Sequence, residues 1–184
     1  MEKDARTASR YLSRFASLVR SILDDSTQEF ISIEKEISTI ENYLELQKVR
    51  FADKFDYHID IDTGIDIDTV MVPPMLAQPF IENSIEHGFK NKAGKGNLRV
   101  SFKMNGGCLV LEIEDDGIGR EKAQEALMQH DKGHKSLATI ITRERIAALN
   151  RRSKNKITLE IIDLTDDEGK ARGTRVVIRI PAGG

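Results

Sequence analysis

Apolar positions in the first part of the chain recur at helical spacing. Tyr11, Leu12, Phe15, Leu18, Val19, Ile22 and Leu23 form one amphipathic stripe and predict a helix that breaks at the polar run DDSTQE. A second helix is expected after Ser32, whose hydroxyl suits an N-cap, with Glu34 and Glu36 in the first turn. Its stripe is Ile33, Ile37, Ile40 and Leu44, continuing to Gln47 and Phe51. Such a stripe packs on another helix, within the chain or across a dimer. From Phe55 the period drops to two: FDYHIDID alternates and predicts a strand, ended by the turn Thr63-Gly64.

The stretch VPPMLAQPFIENSIEHG reads as a helix from Pro73 to Gly88, opened by prolines and closed by glycine. Leu76, Phe80, Asn83 and His87 share one face of it, so an amide and an imidazole stand in line with apolar residues. Buried polar groups need partners. Internal hydrogen bonds, a metal or a polar ligand all satisfy that need. NLRVSFKM and CLVLEIED then form a hairpin across Asn105-Gly106-Gly107. From Asp116 to about Ser136 hydrophobic order fades, apart from a short helical patch over 121–128, as in a functional or mobile loop. Leu137 to Arg152 is a helix with Leu137, Ile140, Ile141, Ile146 and Leu149 as its apolar set. ITLEIIDL and TRVVIRIP close the chain around a polar turn. Strands joined mostly by hairpins, with helices on one face, predict an α+β fold, a two-layer α/β sandwich with a mixed, mostly antiparallel sheet behind an N-terminal helical segment. The short hairpins exclude a doubly wound parallel sheet.

Composition narrows the function classes. The 184 residues are 39% hydrophobic and 32% charged, with a net charge of −2, which gives no global attraction to nucleic acid or to a membrane surface. The lone cysteine, Cys108, excludes an internal disulfide and a thiolate cluster. No apolar run approaches the ~20 residues of a membrane span. The basic cluster Arg151, Arg152, Lys154 and Lys156 lacks interleaved aromatics and reads as a solvated face.

Alternation along the strands brings polar residues to inward positions. Leu109, Leu111, Ile113 and Asp115 share one face, as do Thr174, Val176, Ile178 and Ile180. Asp115, Thr174, Asn83 and His87 are therefore polar members of inward sets, which suggests a ligand pocket between sheet and helices. A carboxylate and a hydroxyl suit an exocyclic amine and ring nitrogens; an amide oxygen suits Mg2+. Glycines, Lys135 and Ser136 suit phosphates. This describes a site for ATP with magnesium, although GxxxxGK[ST] and a strand-borne GxGxxG are absent.

VPPMLAQPFIENSIEHG resembles the N box of the GHKL (Bergerat-fold) ATPase and kinase superfamily. Asp115-Asp116-Gly117-Ile118-Gly119 resembles its DxGxG box, and Gly173-Thr174 its final GT element. With ENYLELQKVRF before the domain and ITRERIAALN after the long loop, nearly the whole chain is similar to LytS-type sensor histidine kinases. The resemblance implies a division into 1–53, part of a dimerisation and phosphoacceptor region, and 54–184, a catalytic ATP-binding domain. It implies that Asp115 hydrogen-bonds the adenine amine, with Thr174 supporting through water, and that Asn83 holds Mg2+. Glu82 is implied to orient water or a proton. His87 lines the phosphate side, Gly117 and Gly119 permit close approach, and Gly133, His134, Lys135 and Ser136 end a lid over the phosphates.

Three residues depart from the family pattern. Asp116 stands where many relatives have asparagine, Glu86 where lysine is frequent, and the second glycine box reads GHKSL. A kinase of this class moves the γ-phosphoryl group of ATP to a histidine on a helix and then to a response regulator. None of the four histidines falls on the first two predicted helices. The fragment is thus expected to bind Mg-ATP without phosphorylating itself. The resemblance also implies a homodimeric, membrane-anchored bacterial parent, with this portion cytoplasmic and making no membrane or nucleic-acid contact. The alternatives are an ATPase of the same fold, or a nucleotide-binding or interaction module without kinase activity.

Overall fold

The computed structural model describes residues 2–52, 54–123, 125 and 137–181. They fall into two compact units, Met1–Asp53 with Asp66–Met75, and Lys54–Ile65 with Leu76–Gly184.

In the first unit, α1 (Glu2–Ser26) and α2 (Ile33–Arg50) form a helical hairpin, tied near mid-length by Arg14 and Glu45 at 3.0 Å. Ser32 Oγ accepts from the Lys35 amide, the cap that the sequence anticipates. Ile33, Ile37, Ile40 and Leu44 are buried, as their spacing requires. Two residues from β1 (Ile31–Ser32) pair antiparallel with β3 (Met71–Val72), which is how the stretch 66–75 joins this unit. Glu36 behaves differently from a first-turn acid facing water. It is 2% exposed and its Oε2 accepts the Met75 amide at 2.9 Å, next to a backbone at φ 57. A left-handed methionine costs energy, and the hydrogen bond from its amide to Glu36 offsets part of that cost. On α1 only Leu18 of the predicted stripe is buried. Leu12, Phe15 and Leu23 remain 65%, 51% and 63% exposed.

The second unit is built on a five-stranded sheet in the order β2-β4-β5-β7-β6. Its strands are β2 (Phe55–Ile61), β4 (Gly96–Asn105), β5 (Cys108–Asp115), β6 (Thr158–Thr165) and β7 (Ala171–Pro181). Only β2 and β4 run parallel, because the chain returns to the sheet through the helical stretch between them; the other pairings are antiparallel. Leu98, Val100 and Phe102, Leu109, Leu111 and Ile113, and Val176, Ile178 and Ile180 form the buried face, while Glu112, Glu114 and Arg175 lie on the other. Against the buried face lies a π-helical turn (Ser84–Phe89) that continues α3 (Gln78–Asn83), and α3 packs on α4 (Leu137–Arg152). This is the two-layer α+β sandwich that the strand and helix periods predict.

Two details fix the helical layer on the sheet. Phe89 stacks on Phe55 with ring centroids 5.9 Å apart, and a Cβ at Gly96 would fall 2.3 Å from the Phe89 ring. Glycine at the Phe55 partner position therefore makes room for the ring that seats the π turn. On α4 the predicted apolar set splits: Ile146 is buried, together with Thr142 from outside that set, whereas Ile140 and Ile141 are 42% and 60% exposed. Residues 142 and 146 are one turn apart on one face, and 141 falls outside it. The basic cluster after α4 has a structural task in Lys156, whose ammonium donates to the carbonyls of Asn150 and Ser153 at the helix end.

Candidate functional site

The stretch carrying Asn83 has two local geometries. α3 spans six residues with Pro79 in its first turn, where a missing amide costs nothing. Pro73 and Pro74 precede it in a turn, so the helix expected from Pro73 starts later, at Gln78. From Ser84 the backbone widens into the π turn and runs past Gly88, with Lys90 as its C-cap. The wider turn advances the following side chains around the axis, so a strict 3.6-residue extrapolation fails there. Ser84, four residues after Phe80, is buried, and past the widening His87 is half-buried. Gly88 ends nothing. Its bare Cα lies where a Cβ on Gly117 would come within 2.7 Å, and its carbonyl accepts the Ile118 amide at 3.2 Å.

Asp115 ends β5 on the inward face and is 6% exposed. Its Oδ2 lies 2.7 Å from Ser84 Oγ and its Oδ1 accepts the Gly117 amide at 2.9 Å; the Thr174 amide also donates to the carboxylate. Burial pushes the Asp115 carboxyl above the ordinary range. Hydrogen bonds from Ser84, Gly117 and Thr174 oppose that shift, and the nearby charge of Asp116 adds to it. These are neutral donors, and among the described residues no cation pairs with the buried carboxyl, an arrangement concentrated at functional sites. A carboxylate offers about four acceptor positions. Three are used here, which leaves capacity for a donor on a ligand. Thr174 is directly opposite Asp115 in the β5–β7 register, and Gly173 has φ 139.

Asp116, one residue on, points the other way. Lys92 Nζ approaches its Oδ1 at 2.6 Å, and Asn97 donates to it twice at 2.7 Å, through the backbone amide and through Nδ2. Burial would raise its pKa, but these hydrogen bonds and the ammonium hold the carboxyl below the usual range. The charge that departs from the family pattern is thus paired with Lys92 and Asn97 on the far side of the strand end, although its field still adds to the shift on Asp115. Further along, Gly119 at φ 81 packs where a Cβ would lie 2.6 Å from Ala171 Cβ. Arg120 then forks onto Asp163 of β6, with Nε to Oδ1 at 2.6 Å and Nη2 to Oδ2 at 2.5 Å. The Arg120 hydrogen bonds, outweighing a small burial effect, keep the Asp163 carboxyl below its ordinary value.

Asn83 Nδ2 donates to Thr139 Oγ1 of α4 at 3.3 Å, and Glu82, Glu86 and His87 are half-buried on α3 and the π turn. Gly133, His134, Lys135 and Ser136 lie outside the described residues. Ser84 was not anticipated. The available signal was its place four residues after the buried Phe80, with a hydroxyl that also reaches the Phe80 carbonyl at 3.0 Å. Among the described residues no group of three or more His, Cys, Asp or Glu side chains is placed to hold a metal ion. A recess also opens on the solvent face of the sheet, but Asp56, Arg99 and Glu114 there already pair with Lys95, Asp60 and Arg175.

The chain resembles known proteins in sequence and in fold. Residues 71–184 match the family model for histidine kinase-, DNA gyrase B-, and HSP90-like ATPases, and residues 1–55 match a histidine kinase family model. The chain is 31% identical over 116 residues to the sensor protein LytS of Staphylococcus epidermidis and 33% identical over 116 residues to that of Staphylococcus saprophyticus. Each alignment covers 63% of this chain and 19% of the relative. The fold is similar to the histidine kinase domain of an Erythrobacter litoralis blue-light activated kinase, with a TM-score of 0.59, 18% identity, and coverage of 97% of this chain and 82% of that one. The Acinetobacter baumannii histidine kinase AdeS follows, with a TM-score of 0.54, 15% identity, and coverage of 99% and 84%.

Proposed function

Because the chain belongs to the family of histidine kinase-, DNA gyrase B-, and HSP90-like ATPases, we propose that it is the ATP-binding catalytic portion of a sensor histidine kinase. The observation that carries this reading is Asp115, a buried carboxylate held among the described residues by neutral donors and bordered by the bare backbones of Gly88 and Gly117. An exocyclic amine is the donor that such a site lacks, and glycines let a flat ring approach the backbone. Adenine donates its amine to Asp115, with Thr174 beside it. Gly117 and Gly119 accommodate the nucleotide, and Asn83 and His87 face its phosphates. Gly133, His134, Lys135 and Ser136 cover the phosphates from the long loop.

Magnesium fits the donor set as a nucleotide-borne ion. Mg2+ takes oxygen ligands, keeps several waters and is held by one or two protein groups plus phosphates. Asn83 is the protein ligand in this reading, and the ion supplies neutralisation of phosphate charge. Glu82 orients a proton or water at the phosphate end. The phosphoryl group passes to a histidine and then to an aspartate of a response regulator, driven by positioning and charge stabilisation. In this reading 1–53 is part of the dimerisation and phosphoacceptor region and 54–184 the catalytic domain. Leu12, Phe15, Val19 and Leu23 follow one another at steps of three and four on α1 and are exposed, which supports a homodimer of the parent protein. Among the described residues no helix is long and apolar enough to cross a membrane. The parent is assigned a membrane anchor outside this stretch, with this portion in the cytoplasm.

Titration of the chain with a fluorescent ATP analogue, with and without Mg2+, tests the reading. Binding strengthens with magnesium, and Asn83→Ala removes most of that strengthening, about 10-fold in Kd. Magnesium-independent binding, or an unchanged response in Asn83→Ala, contradicts the assignment of Asn83. Incubation with γ-labelled ATP is expected to leave no acid-labile label on the chain, because α1 and α2 carry no histidine. A stable label of that kind contradicts the expected acceptor position.

A further inference from the structure

We propose that two charge clamps hold the Gly117-Ile118-Gly119 loop for nucleotide binding: Lys92 and Asn97 grip Asp116 at its start, and Asp163 grips Arg120 at its end. The inference rests on the nucleotide reading of the site and assigns positioning residues outside it.

The loop needs such support. It contains two glycines in three residues, and Gly119 is at positive φ, so the segment alone samples many backbone conformations. Yet two of its amides carry out fixed tasks. Gly117 donates to Asp115 Oδ1 and Ile118 donates to the Gly88 carbonyl, so the loop sets both the orientation of the carboxylate and the spacing between strand end and π turn. Both flanks are anchored by ionic contacts to different elements. Asp116 accepts from the backbone and side chain of Asn97 at the head of β4 and from Lys92 in the segment after the π turn. Arg120 forms a bidentate fork with Asp163, which stands opposite Thr174 on β6. A single exposed ion pair contributes little. A carboxylate with three charge-assisted hydrogen bonds and a bidentate fork are the geometries in which such contacts are strongest. Fixing both ends of a three-residue loop removes conformers that ligand binding would otherwise have to freeze out, so the effect appears as affinity. This also accounts for aspartate at 116: only a carboxylate takes Lys92 and both Asn97 donors together.

The test is the Kd for the fluorescent ATP analogue, measured on the 184-residue chain below the melting onset followed by circular dichroism. Arg120→Asp and Asp163→Arg are each expected to weaken binding ~5-fold, and the exchange R120D/D163R to return it within ~2-fold of wild type. Asp116→Ala weakens binding ~10-fold and Lys92→Met ~3-fold, while D116A/K92M is no weaker than Asp116→Ala. A purely structural role lowers the melting midpoint without this pattern of rescue and non-additivity. Clamp variants that bind like wild type, or an exchange that fails to rescue, overturn the clamps while Asp115→Asn still abolishes binding. If wild type and Asp115→Asn bind the analogue alike, the nucleotide reading and the clamps fall together.

Discussion

Asp115→Asn is expected to weaken ATP-analogue binding by ~100-fold or more without lowering stability at pH 8. The affinity loss follows from a site built around one buried acceptor, since removing the group that pairs a ligand donor leaves that donor desolvated and unpaired. The fold tolerates the change because the asparagine oxygen can keep the Gly117 amide, and its Nδ2 can donate to Ser84 Oγ while Ser84 donates to the Phe80 carbonyl. The sign of the pH effect supports the same expectation. The Asp115 carboxyl is raised by burial, with Asp116 adding to the shift and three hydrogen bonds opposing it. A raised carboxyl contributes stability below its unfolded value of 3.8, and that contribution is lost as pH rises through the folded value. Above its folded value the ionised group is therefore a burden on the fold, and replacing it with a neutral isostere leaves the melting midpoint equal or higher. Isothermal titration paired with melts at pH 5 and pH 8 separates the two effects. Wild-type affinity in Asp115→Asn would remove Asp115 from the site.

Gly173→Ala is expected to destabilise the sheet by about 4 kcal/mol or more, a large part of the stability of a domain this size. A Cβ at Gly173 would lie 1.9 Å from the Asp115 carbonyl oxygen and 2.8 Å from its carbon, and both are backbone atoms of the neighbouring strand. No side-chain rotation relieves such an overlap. The backbone conformation, φ 139, adds strain of its own for a residue with a Cβ. Gly169→Ala is the control, because Gly169 also has positive φ, at 76, but its Cβ would meet nothing within 4 Å. It is expected to cost about 1–2 kcal/mol. Urea unfolding gives both values, and a Gly173→Ala midpoint no lower than that of Gly169→Ala would sink the steric argument. The same contact joins fold to site: Gly173 lets β7 come close enough for the Thr174 amide to reach the Asp115 carboxylate.

Much of this architecture was legible in the sequence because it rests on periodicity. Alternation placed Asp115 and Thr174 on the buried face, and the register puts them directly opposite one another. The Asn-Gly-Gly turn marked the β4–β5 hairpin, and the Ser32 cap marked the start of α2. Composition and short motifs identified the glycines, whose backbone freedom a reader of sequence can recognise without coordinates.

Other features depend on distances between segments far apart in the chain. A 3.6-residue period carried through the π turn points His87 inward, whereas His87 is half-buried and Ser84 meets Asp115, 31 positions away. Asp116 stood out in the sequence only as a departure from asparagine, and the placement of Lys92 and Asn97 shows what its carboxylate holds. Gly88 read as a helix stop, yet it is a contact surface for Gly117. The sequence alone determined the layers, the strand faces and the types of residue near the site, because these follow from local period and side-chain chemistry. The tertiary structure decided which polar groups meet and which charges cancel, because hydrogen bonds and ion pairs form only where packing brings distant residues within about 3 Å.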